Sequence, residues 1–189
     1  MAKRGASNSS GPASLPASDL AEGRIVSSAH LVSAKSPELS EMEFGMILAW
    51  HGFSRWMMRC MAAAGVSDMT PMDVLVLHHV AHRQSAKRLA DICFVLNVED
   101  THVVSYSLKK LAGMGLVESE KHGKEVFFSA TDKGIETCLR YRNVREACLL
   151  PGFSGDAEEN VRLGDLARLL RTLSGRYDQA ARAASAAAT

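Results

Sequence analysis

His78 and His82, with His79 beside the first, are the earliest residues in the chain whose spacing suggests chemistry. Imidazoles at i and i+4 share one helix face and can grip zinc. No carboxylate or cysteine lies near them in sequence as a third ligand, which favours a surface histidine cluster. The four cysteines, Cys60, Cys93, Cys138 and Cys148, lack paired metal or redox spacing. Oxidant sensing needs an exposed thiol of lowered pKa, whereas Cys93 falls on an apolar stripe and Cys60 in an apolar helix, which favours packing. Gly152-Phe153-Ser154-Gly155 lacks the Gly-x-Ser-x-Gly spacing of a nucleophile turn and follows a helix instead of a strand. There is no phosphate-gripping glycine loop and no carboxylate pair in a strand-turn setting. The sequence therefore predicts no enzyme, no metal and no cofactor.

A different chemistry gathers on one helix face. His102, Ser105, Tyr106 and Lys109 recur at helical spacing, and Thr101 stands at the start of the same segment. Lysine can take guanine edges, serine and threonine are less selective, and tyrosine or histidine can stack or meet a thymine methyl. The alternative is the plain solvated face of an amphipathic helix. The elements around the segment decide between these. Val104, Leu108 and Leu111 form its buried stripe, Glu99 and Asp100 offer carboxylate caps, and Gly113 and Gly115 end it, giving a helix from about Thr101 to Met114. Before it, Leu89, Ile92, Cys93 and Leu96 mark a helix within Ser85 to Leu96, with Ser85 as the cap and Lys87, Arg88 and Asp91 outward. After it, Leu116 to Lys121 and Lys124 to Ser129 flank His122-Gly123 as a hairpin, with Val117, Val126, Phe127 and Phe128 supplying strand character. Helix, turn, helix and hairpin in this order predict a winged helix-turn-helix with double-stranded DNA as partner. Thr101, His102, Ser105, Tyr106 and Lys109 would then meet bases. Lys87, Arg88, Lys110, Lys121, His122 and Lys124 would meet phosphates.

The stretch from Leu89 to Gly134 resembles the multiple-antibiotic-resistance regulator (MarR) family of dimeric winged-helix repressors. The residues carrying the likeness are Leu89-Ala90-Asp91, Leu108-Lys109-Lys110-Leu111, Met114-Gly115-Leu116-Val117-Glu118 and Thr131-Asp132-Lys133-Gly134. The resemblance covers about Ser40 to Leu149 and leaves the N-terminal arm out. It implies terminal helices that hold a homodimer, and a pocket for small aromatic effectors between the dimer and DNA-binding lobes. Met57, Met58, Trp50 and Trp56 could line such a pocket or simply pack a core. Two features depart from the family pattern. The turn before the second helix is a residue longer and acidic, and the short wing lacks an Asp-x-Arg pattern while carrying Glu118, Glu120 and Glu125. Weak or salt-sensitive DNA binding is expected from such a near-neutral motif, and an adaptor that holds a protein instead of DNA is the rival function.

With 189 residues, 47% of them hydrophobic, the chain can bury one sizeable core, and a net charge of +1 leaves attraction to polyanions to local patches. No apolar run reaches the roughly 18 residues of a membrane span. Lys3 and Arg4 precede no apolar core of a signal peptide, and the unpaired cysteines fit a reduced cytoplasm. Residues 1–39 read as a loose Ala/Ser/Gly-rich arm, disordered from Met1 to about Lys35. Ile25, Val26, Leu31 and Val32 leave open a short strand or an arm laid on a neighbour. Residues 40–150 read as the winged domain with a first long helix, begun by a Ser40/Glu43 capping box. In that helix Trp50, Phe53, Met57 and Met61 form one stripe, with Ile47, Leu48 and Trp56 on a second. Thr70-Pro71 starts the next helix, running to about His82 with Met72, Leu75 and Val76 inward. A helix from Thr131 to Leu149 ends at Pro151-Gly152. Residues 151–189 read as a C-terminal dimerisation helix, capped by Asp156 with Glu159, and a tail. There Leu163, Leu166, Leu170, Leu173 and Tyr177 alternate by three and four as a heptad seam. Trp50, Phe53 and Met57 with that seam are the expected dimer interface, the alternative being a completed monomer core. The predicted class is mainly α, with a small two-stranded β-wing and long terminal dimerisation helices.

Overall fold

A computed structural model describes residue 19 and residues 22–188. The elements are α1 (Pro37–Ala63), α2 (Pro71–Ala81), β1 (Lys87–Arg88), α3 (Leu89–Leu96), α4 (Thr101–Gly113), β2 (Val117–His122), β3 (Glu125–Ala130), α5 (Asp132–Cys148) and α6 (Ala157–Ala187). Short 3-10 turns occupy Ala29–Leu31, His82–Gln84 and Leu150–Gly152.

Local chemistry sets most of these boundaries. Thr70 and Asp73 make a reciprocal capping box, and Pro71 opens α2 where no donor is missed. Asp100 caps α4 through the amide of His102, Thr131 caps α5 through Gly134, and Asp156 caps α6 through Glu159. At its other end α4 closes as a Schellman turn. The Leu116 amide reaches Leu111 O at 3.0 Å and the Gly115 amide reaches Ala112 O at 2.9 Å, with Gly115 at φ +70.

Four expectations need correction. The helix expected from Ser85 starts at Leu89, because Lys87 and Arg88 are extended and pair antiparallel with Phe128 and Phe127, making a three-stranded sheet of order β1-β3-β2. Ser85 is therefore no helix cap. The hairpin loop is Gly123-Lys124, one residue beyond the expected pair, since His122 is still paired with Glu125 and glycine takes the positive φ of 64. The Ser40/Glu43 capping box does not form. Pro37 starts α1 a turn earlier, the buried Ser40 hydroxyl donates to Leu31 O at 2.7 Å, and Glu43 accepts from the Tyr177 hydroxyl at 2.8 Å. Nor is the arm loose as far as Lys35: Val32 is buried, and Arg24 pairs with Glu38 at 3.2 Å. The rest of the expected loose arm, residues 1–18 with 20 and 21, lies outside the described residues.

The core lies between α2, α3, α4, α5, the C-terminal end of α1 and the root of the wing. Met61, Val74, Leu77, Ile92, Val104, Leu111 and Leu116 are all fully buried there. Each such aliphatic side chain stabilises the fold by about 1.5–3 kcal/mol relative to exposure. The α4 stripe inferred from spacing, Val104, Leu108 and Leu111, is thus the face that packs. What remains outward is the other side of the same helix.

Candidate nucleic-acid interface

Helix α4 turns Thr101, His102, Tyr106 and Lys109 to solvent, with Ser105 half-buried at the edge of the face. Tyr106 is 71% exposed, unusual for an aromatic side chain in a packed domain. Val103 is 41% exposed on the same side and was not foreseen; an apolar group there could meet a thymine methyl. The wing lies beside the N-terminal end of this helix. A groove of about 560 Å³ runs between them, lined by Arg88, Leu89, Ala90, Thr101, Glu125, Val126 and Phe128. At the wing tip Lys121, His122 and Lys124 are exposed. His122 lies 3.2 Å from Glu120 and packs edge-on against Phe127.

The lysines and arginine expected to meet DNA, Lys109 at bases and the others at phosphates, divide into two groups. Lys109, Lys121 and Lys124 make no ion pair or side-chain hydrogen bond among the described residues. Lys87, Arg88 and Lys110 are instead held by the protein. The Lys87 ammonium donates to Val80 O, His82 O and Ser85 O at 3.3, 2.7 and 2.8 Å, gathering carbonyls at the end of α2. That clamp spans Arg83 and Gln84, which take left-handed φ values of 59 and 48. Arg88 bridges Asp91 at 3.0 Å and Glu125 at 3.1 Å, tying α3 to the wing, and its guanidinium is held more firmly protonated by these two carboxylates. Lys110 pairs with Asp73 at 3.0 Å. Arg88 remains on the outer surface, whereas Lys87 and Lys110 are half-buried against the groups that hold them.

The other candidate residues resolve by burial. The expected surface histidine cluster needs correction at His78, which packs inward from α2: its ring is largely covered, meets Tyr141 edge-on at 4.5 Å between centroids, and its Nε2 has no hydrogen-bond partner. Burial lowers its pKa. Cys60 and Cys93 are buried, and burial raises both thiols. Cys138 is pushed up to about 11 for the same reason, the opposite of an activated thiol.

Of the expected dimer residues, Met57 is 1% exposed inside the domain core and so cannot face a partner. The stripe splits because α1, at 27 residues and roughly 40 Å, is longer than the core it crosses. Its C-terminal end buries Met57, Cys60 and Met61 while Trp50 and Phe53 stand 48% and 49% exposed on the overhang. In α6 only Leu173 of 31 residues is buried, and Leu163, Leu166, Leu170 and Tyr177 remain exposed. Between the overhang and α6 lies a cavity of about 590 Å³, its walls formed by Met42, Met46, Trp50, Phe53, Leu166 and Leu170 among others. Among the described residues no helix is long and apolar enough to cross a membrane.

Residues 69–134 match the family described as winged helix DNA-binding domain. That span runs from the approach to α2 to the first turn of α5. No curated protein matches the chain. Among solved structures, AbfR of Staphylococcus epidermidis is similar over 71% of this chain and 90% of its own, at 18% identity and a TM-score of 0.59. The transcriptional regulator BldR from Sulfolobus solfataricus covers 74% of this chain and 99% of its own, at 15% identity and 0.59. A MarR family regulator from Neisseria meningitidis covers 75% and 97%, at 19% identity and 0.57. Residues 69–134 therefore match a winged helix DNA-binding domain, and the chain has the fold of these MarR-family structures.

Proposed function

We propose that the protein is a MarR-like transcriptional regulator that binds a pseudo-palindromic duplex site as a homodimer and catalyses no reaction. The observation that carries this is the solvent-facing side of α4, where Tyr106 and Lys109 project beside the wing with nothing packed over them. Each protomer would set α4 in a major groove, with Thr101, His102, Ser105, Tyr106 and Lys109 toward base edges. Lys121, His122 and Lys124 at the wing tip would lie along the adjoining backbone. AbfR, which shares the fold, has been solved bound to DNA.

Two copies would join through the exposed apolar residues of α1 and α6, chiefly Trp50, Phe53, Leu163, Leu166 and Leu170, with Leu173 and Tyr177 at the near edge. So much contiguous apolar surface marks an interaction site in a protein of this size. A small aromatic effector suits the cavity between the same helices, whose walls are almost wholly apolar. The setting would be cytoplasmic. A winged-helix adaptor that holds a protein is the second reading, favoured by Glu118, Glu120 and Glu125 on the wing and by the sequestration of Arg88. Gel shifts with genomic fragments at two salt concentrations separate them: a regulator gives site-selective, salt-dependent retardation and an adaptor gives none.

A further inference from the structure

Asp73 is a carboxylate with 1% exposure in the first turn of α2. A charge taken so far from water must be compensated. Its Oδ2 accepts from the Thr70 amide at 2.8 Å and from the Lys110 ammonium at 3.0 Å. The buried Ser107 hydroxyl lies close enough to favour the ionised form as well, although Oδ1 has no hydrogen-bond partner. Ser107 and Lys110 are three residues apart, so both project from one side of α4. Capping α2 would need only a carboxylate at the solvent edge. This one sits under the inner face of α4 instead.

From this contact, and resting on the DNA-binding reading above, we infer that Asp73 is a positioning residue for DNA recognition. It latches α4 through Lys110, and Lys110 is a strut and not a phosphate ligand. The latch sets the rotation of α4 about its axis. Neighbouring helix positions differ by about 100°, so holding Lys110 against α2 fixes how far round the helix Lys109 stands toward solvent. A charged pair across two helices is also more directional than the aliphatic contacts of Val104, Leu108 and Leu111, which tolerate small rotations.

The test compares wild type with Lys110→Met, Asp73→Asn, the doubly neutral variant and Lys110→Arg. A selected genomic duplex and a scrambled one are titrated over a salt series. Loss of the latch should reduce the preference for the selected duplex about tenfold and leave the salt slope at its wild-type value. The double variant should lose no more than either single one, and Lys110→Arg should restore most of the preference. A phosphate role predicts something else. Lys110→Met would then weaken both duplexes alike and reduce the slope by about 0.9 per protomer, and that result, or no change at all, overturns the proposal. Should Asp73→Asn fail to fold, the doubly neutral variant carries the comparison, because it leaves no unpaired buried charge. If wild type binds no duplex, the functional reading fails separately. Amide exchange over residues 101–113 then decides the latch: faster exchange in Lys110→Met supports it and unchanged exchange overturns it.

Discussion

Replacing Gly134 by alanine tests how the wing and α5 are joined. A Cβ there would lie 2.1 Å from Leu116 O and 3.1 Å from Leu116 C, both backbone atoms. Ordinary C···O contacts fall at about 3.3–3.6 Å, so the overlap exceeds about 1 Å. Leu116 cannot give way. Its amide is bonded to Leu111 O at 3.0 Å, its carbonyl accepts from the Thr131 amide at 3.1 Å, and it is fully buried. The first turn of α5 must withdraw instead, stretching the Thr131 amide bond and the 2.8 Å bond from the Thr131 hydroxyl to Gly115 O. Overpacking costs about 1–3 kcal/mol and each weakened hydrogen bond about 1 kcal/mol. Alanine returns up to about 1 kcal/mol as a better helix former. The net is a loss of about 3 kcal/mol. Urea unfolding at fixed protein concentration measures it, with Gly113→Ala as control, since a Cβ at Gly113 meets nothing within 4 Å and that change should be neutral or slightly stabilising. Gly134→Ala within about 0.5 kcal/mol of wild type would refute the reasoning.

Three further expectations concern acid sensitivity, DNA contacts and assembly. Burial holds the His78 imidazole below its ordinary range, so the unfolded chain takes up a proton that the folded chain refuses. The resulting loss of stability begins as pH falls below about 6.5 and continues toward the folded pKa; His78→Phe should narrow the difference between urea midpoints taken on either side of that value. Lys109→Ala and Ser105→Ala should each weaken preference for the cognate duplex, costing about 1–3 kcal/mol at the base concerned, whereas Lys124→Ala should weaken all duplexes alike and reduce the salt slope by about 0.9 per protomer; competition titrations read both. Leu170→Glu, on the exposed side of α6, should shift sedimentation toward monomer and weaken operator binding together, because two half-sites are no longer linked.

Elements governed by neighbouring residues were legible in the sequence. The α4 stripe, the Thr70-Pro71 start of α2, the Asp100 and Asp156 caps and the glycine stop after α4 all depend on residues a few positions apart. The errors arose where a distant segment competed. Ser40 and Glu43 have the spacing of a capping box, but Leu31 O takes the hydroxyl and Tyr177 engages the carboxylate, while Pro37 starts the helix earlier. Lys87 and Arg88 become a strand only because Phe127 and Phe128 supply the pairing edge. Within the candidate site, the outward face of α4 follows from its inward stripe. The pairing of Lys110 was not legible because its partner is 37 residues away on α2, and a carboxylate near a helix start gives no sign in sequence that another helix will cover it. Met57 shares a stripe with Trp50 and Phe53, yet only the fold fixes where α1 leaves the core.

The central claim is that the outward side of α4 reads duplex DNA. Genomic fragments retained by the full chain should be sequenced and footprinted, with Tyr106→Ala and Lys109→Ala run beside wild type. The account predicts inverted half-sites about one helical turn apart and loss of site selectivity in both variants. Unchanged selection of the same fragments by both variants, or no enrichment of any site by wild type at low salt, would contradict it.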